Sequence, residues 1–198
     1  MNVIILTTGI SGSSVITGFL AKSGLWAGDQ TIFKDNLTGN YETYENKTLV
    51  NLNDELVEAA GVEFTDKTYY DTNARDLFDN ISSEIDTTRY KRFIAECNSH
   101  SPWIWKDPKL FITIGFWKNF LNLADTRVVV VHRNAYELWK SQAIKRIKYS
   151  YSYLKRSEEK SRHELLNYLE RNYFSFVSLE YDQFLRDPVT AINRLNKF

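Results

Sequence analysis

Two short segments of the sequence carry side chains that suit an anion. Residues 9–14 read GISGSS, in which two glycines let the backbone approach a ligand and three serines can donate hydroxyl hydrogen bonds. If this segment leads into a helix, the free N–H groups and the dipole of the helix N-terminus also attract an anion. The alternative is a tight turn capped by serine that binds nothing, and the composition of the segment does not separate the two.

Arg133 and Ser141 form the second candidate. They lie eight positions apart, about two turns of a helix, after a run of four valines. The planar guanidinium of an arginine suits phosphate, and a hydroxyl beside it adds a donor. The alternative is an arginine in a surface ion pair, and the spacing alone does not exclude it.

The first segment differs from the loop that binds nucleoside triphosphates. That loop, G-x-x-x-x-G-K-[ST], requires a lysine that residues 9–14 lack. A kinase also needs Mg²⁺ and its ligands, so a kinase is not the favoured interpretation.

Apolar runs that alternate with helical spacing surround both segments. This alternation is typical of an α/β fold with a mostly parallel central sheet and helices on both faces. The runs VIIL (residues 3–6) and RVVVVH (127–132) are continuous, as expected of strands buried on both faces, and WIWK (103–106) and SFVSLEY (175–181) complete four strands. Because ligands bind outside the carboxyl ends of parallel strands, both segments are expected at one crevice. Helical spacing predicts helices over residues 15–23, 45–60, 75–97 (one or two helices) and 187–198. It predicts two more, one that follows WIWK and ends at residue 121 and one that follows RVVVVH and ends near residue 146.

The segment KRSEEKSRHE, residues 155–164, is charged and follows tyrosines that alternate with serines. Such a composition is typical of a solvated segment. We expect an exposed loop or a lid here.

Composition restricts the function further. The length of 198 residues predicts a single domain over residues 1–198, and 43% hydrophobic residues suffice for a core. Lys plus Arg (25) balance Asp plus Glu (25), so no overall field attracts nucleic acid or an anionic membrane, and any anion site must be local. The single Cys97 cannot form an intrachain disulfide, and no stretch has the ~20 apolar residues of a membrane span. We expect a cytoplasmic protein without a membrane span or a nucleic-acid partner.

Five motifs, in one order over almost the whole chain, resemble the sulfotransferase family. This family transfers a sulfuryl group from 3′-phosphoadenosine 5′-phosphosulfate (PAPS) to an alcohol or amine and releases adenosine 3′,5′-bisphosphate (PAP). The N-terminal strand, loop and helix resemble the loop that binds the 5′-phosphosulfate, and four residues match it: Ser11, Gly12, Ser13 and Ser14. TGNYE with LVNLND resembles the bacterial G-Y-x-E and leucine-asparagine stretch, with Glu42 as the acid, and WKDPK resembles the family's K-D-P-R segment. Arg133 and Ser141 have the family's spacing for the 3′-phosphate, and SLEYDQFLRDP is similar to its C-terminal tyrosine, acid and Asp-Pro pattern.

The resemblance implies a P-loop-like sulfotransferase fold, PAPS as co-substrate, PAP as product and no metal. The acceptor would be a hydroxyl or amine of a small molecule or carbohydrate. At Ile10 the family's basic residue is missing, and we expect Lys106 to supply that charge. The histidine base of the family's cytosolic members falls at Pro108, so another base is required, and the resemblance points to Glu42, whose family counterpart faces the acceptor pocket.

Several assignments remain open in the sequence. The histidines 100, 132 and 163 match no family base and are expected to be surface or capping residues. Five aromatic residues are candidates to line an acceptor site or to be core: Trp26, Tyr41, Tyr44, Tyr69 and Tyr70. The replacements at Ile10 and Pro108 also allow a protein that keeps the fold and binds a nucleotide or sugar without turnover.

Overall fold

The computed structural model of the chain describes residues 1–9, 11–36, 39–65, 74–144 and 149–196. Its main sheet has four strands, β1 (Asn2–Thr7), β4 (Ile104–Lys106), β5 (Thr126–His132) and β6 (Ser175–Glu180). All neighbours are parallel, in the order β4-β1-β5-β6. The predicted α/β class with a central parallel sheet is therefore confirmed.

Helices cover both faces of this sheet. The helices are α1 (Ser13–Lys22), α2 (Lys47–Ala59), α3 (Ala74–Asn80), α4 (Thr88–Ser99), α5 (Leu110–Trp117), α6 (Ala135–Ile144), α7 (Tyr151–Arg171), α8 (Tyr181–Arg186) and α9 (Pro188–Asn196). Ile4 and Val128 face a core formed with α2, α4, α5 and α7, whereas Ile5 and Val129 face a core formed with α1, α8 and α9. Successive side chains of a strand point to opposite faces, so burial on both faces explains the unbroken apolar runs.

A two-stranded antiparallel hairpin, β2 (Thr31–Asn36) and β3 (Gly39–Asn46), lies outside the main sheet. This hairpin was not predicted from the sequence, where the apolar spacing predicts a helix that begins at residue 45. The structure begins α2 two residues later, because the Asn46 side chain accepts hydrogen bonds from the backbone N–H groups of Thr48 (2.9 Å) and Leu49 (3.2 Å). Glu45 thereby belongs to the strand.

The prediction of an exposed loop or a lid at residues 155–164 is wrong. These residues lie inside α7, and Ser150 caps the helix by accepting from the N–H of Tyr153 at 3.2 Å. The buried stripe of this helix contains two polar residues, Glu158 and Ser161, between Leu154 and Leu165. Because polar residues occupy buried positions, the spacing of the apolar residues alone does not show the helical periodicity of this segment.

The other predicted elements are present with small shifts at their ends. Residues 75–97 form two helices, α3 and α4, with a 3-10 turn (Ile81–Ser83) after α3. The C-terminal helix begins at Pro188, where a missing N–H costs nothing, and Asp187 accepts from the N–H of Thr190 at 3.1 Å. The last two residues of the predicted helix, and residues 145–146 of the one before it, lie outside the described residues.

Candidate functional site

One cleft of about 840 Å³ lies at the carboxyl edge of the main sheet. Thr7 ends β1 there, Lys106 ends β4, and Arg133 follows β5. The structure places every site residue predicted from the sequence on the lining of this cleft: Ser11, Gly12, Ser13, Ser14, Glu42, Lys106, Arg133 and Ser141.

The loop after β1 is held by its own hydroxyl groups. The Thr7 hydroxyl donates to the carbonyl oxygen of Gly9 at 2.7 Å and also contacts the Ser11 hydroxyl. Because the single proton of Thr7 is used on Gly9, the Ser11 hydroxyl is the donor in the second contact. Ser11 therefore braces the loop with its side chain and has only its backbone N–H to offer a ligand.

Gly12 ends this loop and forms the N-cap of α1. Its φ of 77° lies in the left-handed region that favours glycine. No side chain among the described residues caps the helix, and its first turn has no acidic residue. The serine cap considered as an alternative is thus not formed in the described part of the chain, and the positive end of the α1 dipole faces the cleft without compensation.

Lys106 lies at the inner end of the cleft. Its ammonium donates to the Ser14 hydroxyl at 3.3 Å and contacts the carboxylate of Glu45, which also lies 3.5 Å from the ammonium of Lys34. Burial lowers the pKa of Lys106, and the carboxylate of Glu45 opposes this effect. The arrangement gives the loop a buried cation beside the start of α1.

Asp107, next to Lys106, is held in place by the core. Its carboxylate accepts from the side-chain amide of Asn53 (2.8 Å) and from the backbone N–H of Lys109 (3.0 Å). The amide oxygen of Asn53 in turn accepts from Thr113 and Trp117, each at 2.8 Å. Burial raises the pKa of Asp107, since it disfavours the charged form. These bonds fix the segment that follows β4 and hence the position of Lys106.

Arg133 is held by two residues. It donates from Nη1 to the Ser141 hydroxyl at 2.6 Å, and its Nε lies 3.3 Å from the carboxylate of Asp182. Asp182 also accepts from the backbone N–H of Asn134 at 3.2 Å. The ion pair considered as an alternative is present, but it is mostly buried and lies on the cleft rather than on the open surface. An anion at Ser141 would meet an arginine that is already oriented.

The ring of Tyr181 lies close both to Arg133 and to the loop after β1. The guanidinium carbon of Arg133 lies 5.4 Å from the centroid of the Tyr181 ring. The same ring lies so close to Gly12 that a Cβ at that position would be 2.5 Å from it. Gly12 is therefore required both for its backbone angle and for the approach of this ring.

A buried carboxylate supports the loop from α7. Glu158 accepts from the Thr8 hydroxyl at 3.3 Å and lies 3.8 Å from Nε of Arg162. Burial raises the pKa of Glu158. The segment expected to be a mobile lid thus braces the residue that follows β1.

The hairpin supplies another wall of the cleft. Glu42, Tyr41 and Tyr44 line it, whereas Trp26 stacks on His100 with 4.4 Å between ring centroids, away from the cleft. Three residues named in the sequence analysis lie outside the described residues: Ile10, Tyr69 and Tyr70.

None of the three histidines lines the cleft, all of them being described residues. His132 is partly buried at the end of β5, and burial, with a contribution from Arg162, lowers its pKa to about 4. His163 is exposed and pairs with Asn167. Within the described ranges, no three His, Cys, Asp or Glu side chains are placed to hold a metal ion.

Three residues of the site were not predicted from the sequence. Tyr181 and Asp182 lie in the quoted tyrosine and acid pattern after β6, so a signal for them existed. Glu45 lies three positions after Glu42, and nothing in the spacing distinguished the two carboxylates. Only the hairpin, which was not predicted, explains why Glu45 contacts Lys106 while Glu42 lies on the cleft wall.

Comparison with solved structures finds one fold neighbour. The sulfotransferase domain from the Synechococcus PCC 7002 olefin synthase superposes with a TM-score of 0.58 and 14% sequence identity, over 98% of this chain and 70% of that one. No family model and no curated protein matches the sequence. The chain thus has a sulfotransferase-like fold. No helix in the described ranges is long and apolar enough to cross a membrane.

Proposed function

We propose that the protein transfers a sulfuryl group from PAPS to a hydroxyl or amine of a small-molecule or carbohydrate acceptor. The observation that carries this proposal is that two separate groups of donors suited to an anion line one cleft. One is the uncapped start of α1 with Ser13 and Ser14, and the other is Arg133 with Ser141. A nucleotide phosphorylated at both its 5′ and 3′ positions would use both.

At the 5′ end, Ser13, Ser14 and Lys106 would bind the phosphosulfate. The backbone N–H groups at the start of α1 point toward an anion, and the helix dipole favours negative charge there. Lys106 adds a positive charge from the end of β4, where we expect it to replace the cation that is missing at Ile10. This part of the site is built from β1, α1 and β4 together.

At the 3′ end, Arg133 and Ser141 would bind the second phosphate. Asp182 fixes the guanidinium, so little side-chain entropy is lost when the phosphate binds. The cleft is also lined by the ring of Tyr181 and by two exposed apolar side chains, Val15 (48% exposed) and Leu185 (54% exposed). We assign these three residues to the adenosine, whose base packs well against apolar and aromatic surfaces.

In the transfer step the acceptor oxygen forms a bond to sulfur while the bond from sulfur to the 5′-phosphate oxygen breaks. The electron pair of the broken bond goes to the phosphate oxygen. Lys106 donates to the oxygens that gain charge, and Glu42 accepts the proton of the acceptor hydroxyl. Positioning and electrostatic stabilisation by preorganised groups supply most of the rate in such a step.

Two measurements test the proposal. Calorimetry should give much tighter binding of PAP than of 5′-AMP, because only PAP reaches both groups of donors. Transfer of label from ³⁵S-labelled PAPS to a panel of sugars, phenols and alcohols should then give sulfated product. Equal binding of the two nucleotides would refute the site assignment. Preference for PAP without transfer to any acceptor would favour the alternative that residues such as Pro108 indicate, a protein that binds the nucleotide without turnover.

A further inference from the structure

The ammonium of Lys106 belongs to a buried group of charges. Lys106 is 4% exposed and Glu45 is 3% exposed, and the two side chains are in contact. The same oxygen of Glu45 also lies 3.5 Å from the ammonium of Lys34. The carboxylate of Glu45 is thus shared by two ammonium groups at the inner end of the cleft.

The groups around Lys106 act in different directions. Burial disfavours its charged form most strongly, and the nearby ammonium of Lys34 acts in the same direction. Glu45 opposes both by charge and by its hydrogen bond, and Asp107 opposes them more weakly. From α1 the contact is the uncharged hydroxyl of Ser14. Glu45 is therefore the main group that favours the ammonium form in this buried position.

We propose that Glu45 is a positioning residue that keeps Lys106 protonated and directed at Ser14, at the end of the cleft where the 5′ group of the nucleotide would bind. Its effect on turnover rests on the proposed function, but its effect on the protonation of Lys106 does not. Glu45 itself is not among the residues that line the cleft. The hairpin thus supplies the charge that lets a buried lysine act as a cation.

The direct test follows the Nζ resonance of Lys106 by NMR in protein labelled with ¹⁵N-lysine, with Lys106→Met to assign the signal. In Glu45→Gln the midpoint of its titration should fall by about one pH unit or more, because an opposite charge in contact is lost. Glu58→Gln, an exposed glutamate on α2, is the matched control and should leave the midpoint unchanged. If Glu45→Gln does not fold, Glu45→Asp should show a smaller fall in the same direction.

The kinetic test uses the pH dependence of turnover. In Glu45→Gln the decline of kcat at high pH should begin at a lower pH than in the wild type. At pH values below that decline, the Kd for PAP should stay within about twofold of the wild-type value. In Lys106→Arg, whose cation does not titrate in this range, adding Glu45→Gln should leave the pH profile unchanged. A merely structural loss would lower kcat equally at all pH values.

The outcomes separate the two proposals. A titration midpoint of Lys106 that is the same in wild type, Glu45→Gln and Glu45→Asp would overturn the role of Glu45. A shifted midpoint in a protein that transfers no sulfuryl group would support the role of Glu45 and refute the proposed reaction.

Discussion

Replacing Arg133 by alanine tests the assignment of the 3′-phosphate site. The guanidinium contacts Ser141 and Asp182, so its removal deletes the charged partner of a phosphate and leaves the mostly buried carboxylate of Asp182 without its arginine. A hydrogen bond to a charged group contributes about 1.5–3 kcal/mol, which corresponds to about ten- to a hundredfold in affinity. The carboxylate of Asp182, left without its arginine, would repel the phosphate, so the loss of affinity should lie toward the upper end of this range.

The assay is calorimetric titration with PAP and with 5′-AMP. Arg133→Ala should lose affinity for PAP by the stated factor and change the Kd of 5′-AMP by less than about twofold, because 5′-AMP has no 3′-phosphate. Ser141→Ala removes a neutral donor and should cost about two- to tenfold for PAP alone. The two variants should not be additive, since the side chains are in direct contact. Arg186→Ala, an exposed arginine on α8, is the control. An unchanged preference for PAP in Arg133→Ala would refute the assignment.

Four further predictions concern catalysis and stability. Lys106→Ala and Glu42→Gln should lower turnover far more than they weaken PAP binding, because both act mainly in the transition state. If Lys106 supplies the charge as proposed, Ile10→Arg should leave the rate unchanged or lower it, because two cations about 4 Å apart repel by about 4 kcal/mol at an effective dielectric near 20. Gly12→Ala should lower the free energy of unfolding, measured in urea, by about 1–3 kcal/mol and should weaken the binding of PAP. The reason is that φ at position 12 is 77° and the Tyr181 ring lies where a Cβ would be. Burial lowers the pKa of His132 to about 4 in the folded protein, so the free energy of unfolding should fall by about 1–2 kcal/mol as the pH falls from 6.5 to 4. In His132→Asn the free energy of unfolding should fall less over the same range.

Each of these predictions has a contrary result. Wild-type rates in both Lys106→Ala and Glu42→Gln on a verified acceptor would contradict the catalytic assignment. A clear gain in turnover for Ile10→Arg would mean that the natural chain lacks a cation it needs. Gly12→Ala with wild-type stability would contradict the strain argument. Identical acid sensitivity of His132→Asn and wild type would exclude that histidine as the source.

The parallel sheet was predictable because its central strands, β1 and β5, are largely buried on both faces. A continuous run such as VIIL in β1 is typical of such a strand, and the glycines and serines after it indicate a loop that enters a helix. The carboxyl edge of the sheet then places the ends of β1, β4 and β5 together. The common location of Ser14, Lys106 and Arg133 therefore follows from topology.

The hairpin and α7 were not predictable in the same way. In β3 the buried side chains Thr43 and Glu45 are polar: Thr43 donates to the backbone carbonyl of Ile32 in β2, and Glu45 contacts Lys106. In α7 the buried Glu158 accepts from Thr8, the residue that follows β1, whereas the buried hydroxyl of Ser161 has no hydrogen-bond partner among the described residues. Apolar periodicity fails where buried positions carry polar residues that act on a neighbouring element.

The ring of Tyr181 lies against Gly12 and near the guanidinium of Arg133. If the cleft binds PAP as proposed, a bulky ring beside both residues would make it selective among positional isomers. Adenosine 2′,5′-bisphosphate carries the same charges as PAP, but its second phosphate leaves the ribose from a different carbon. A smaller residue at position 181 should then narrow the difference in affinity between the two isomers. The preference of the proposed site would thus depend partly on a side chain that need not bond to either phosphate.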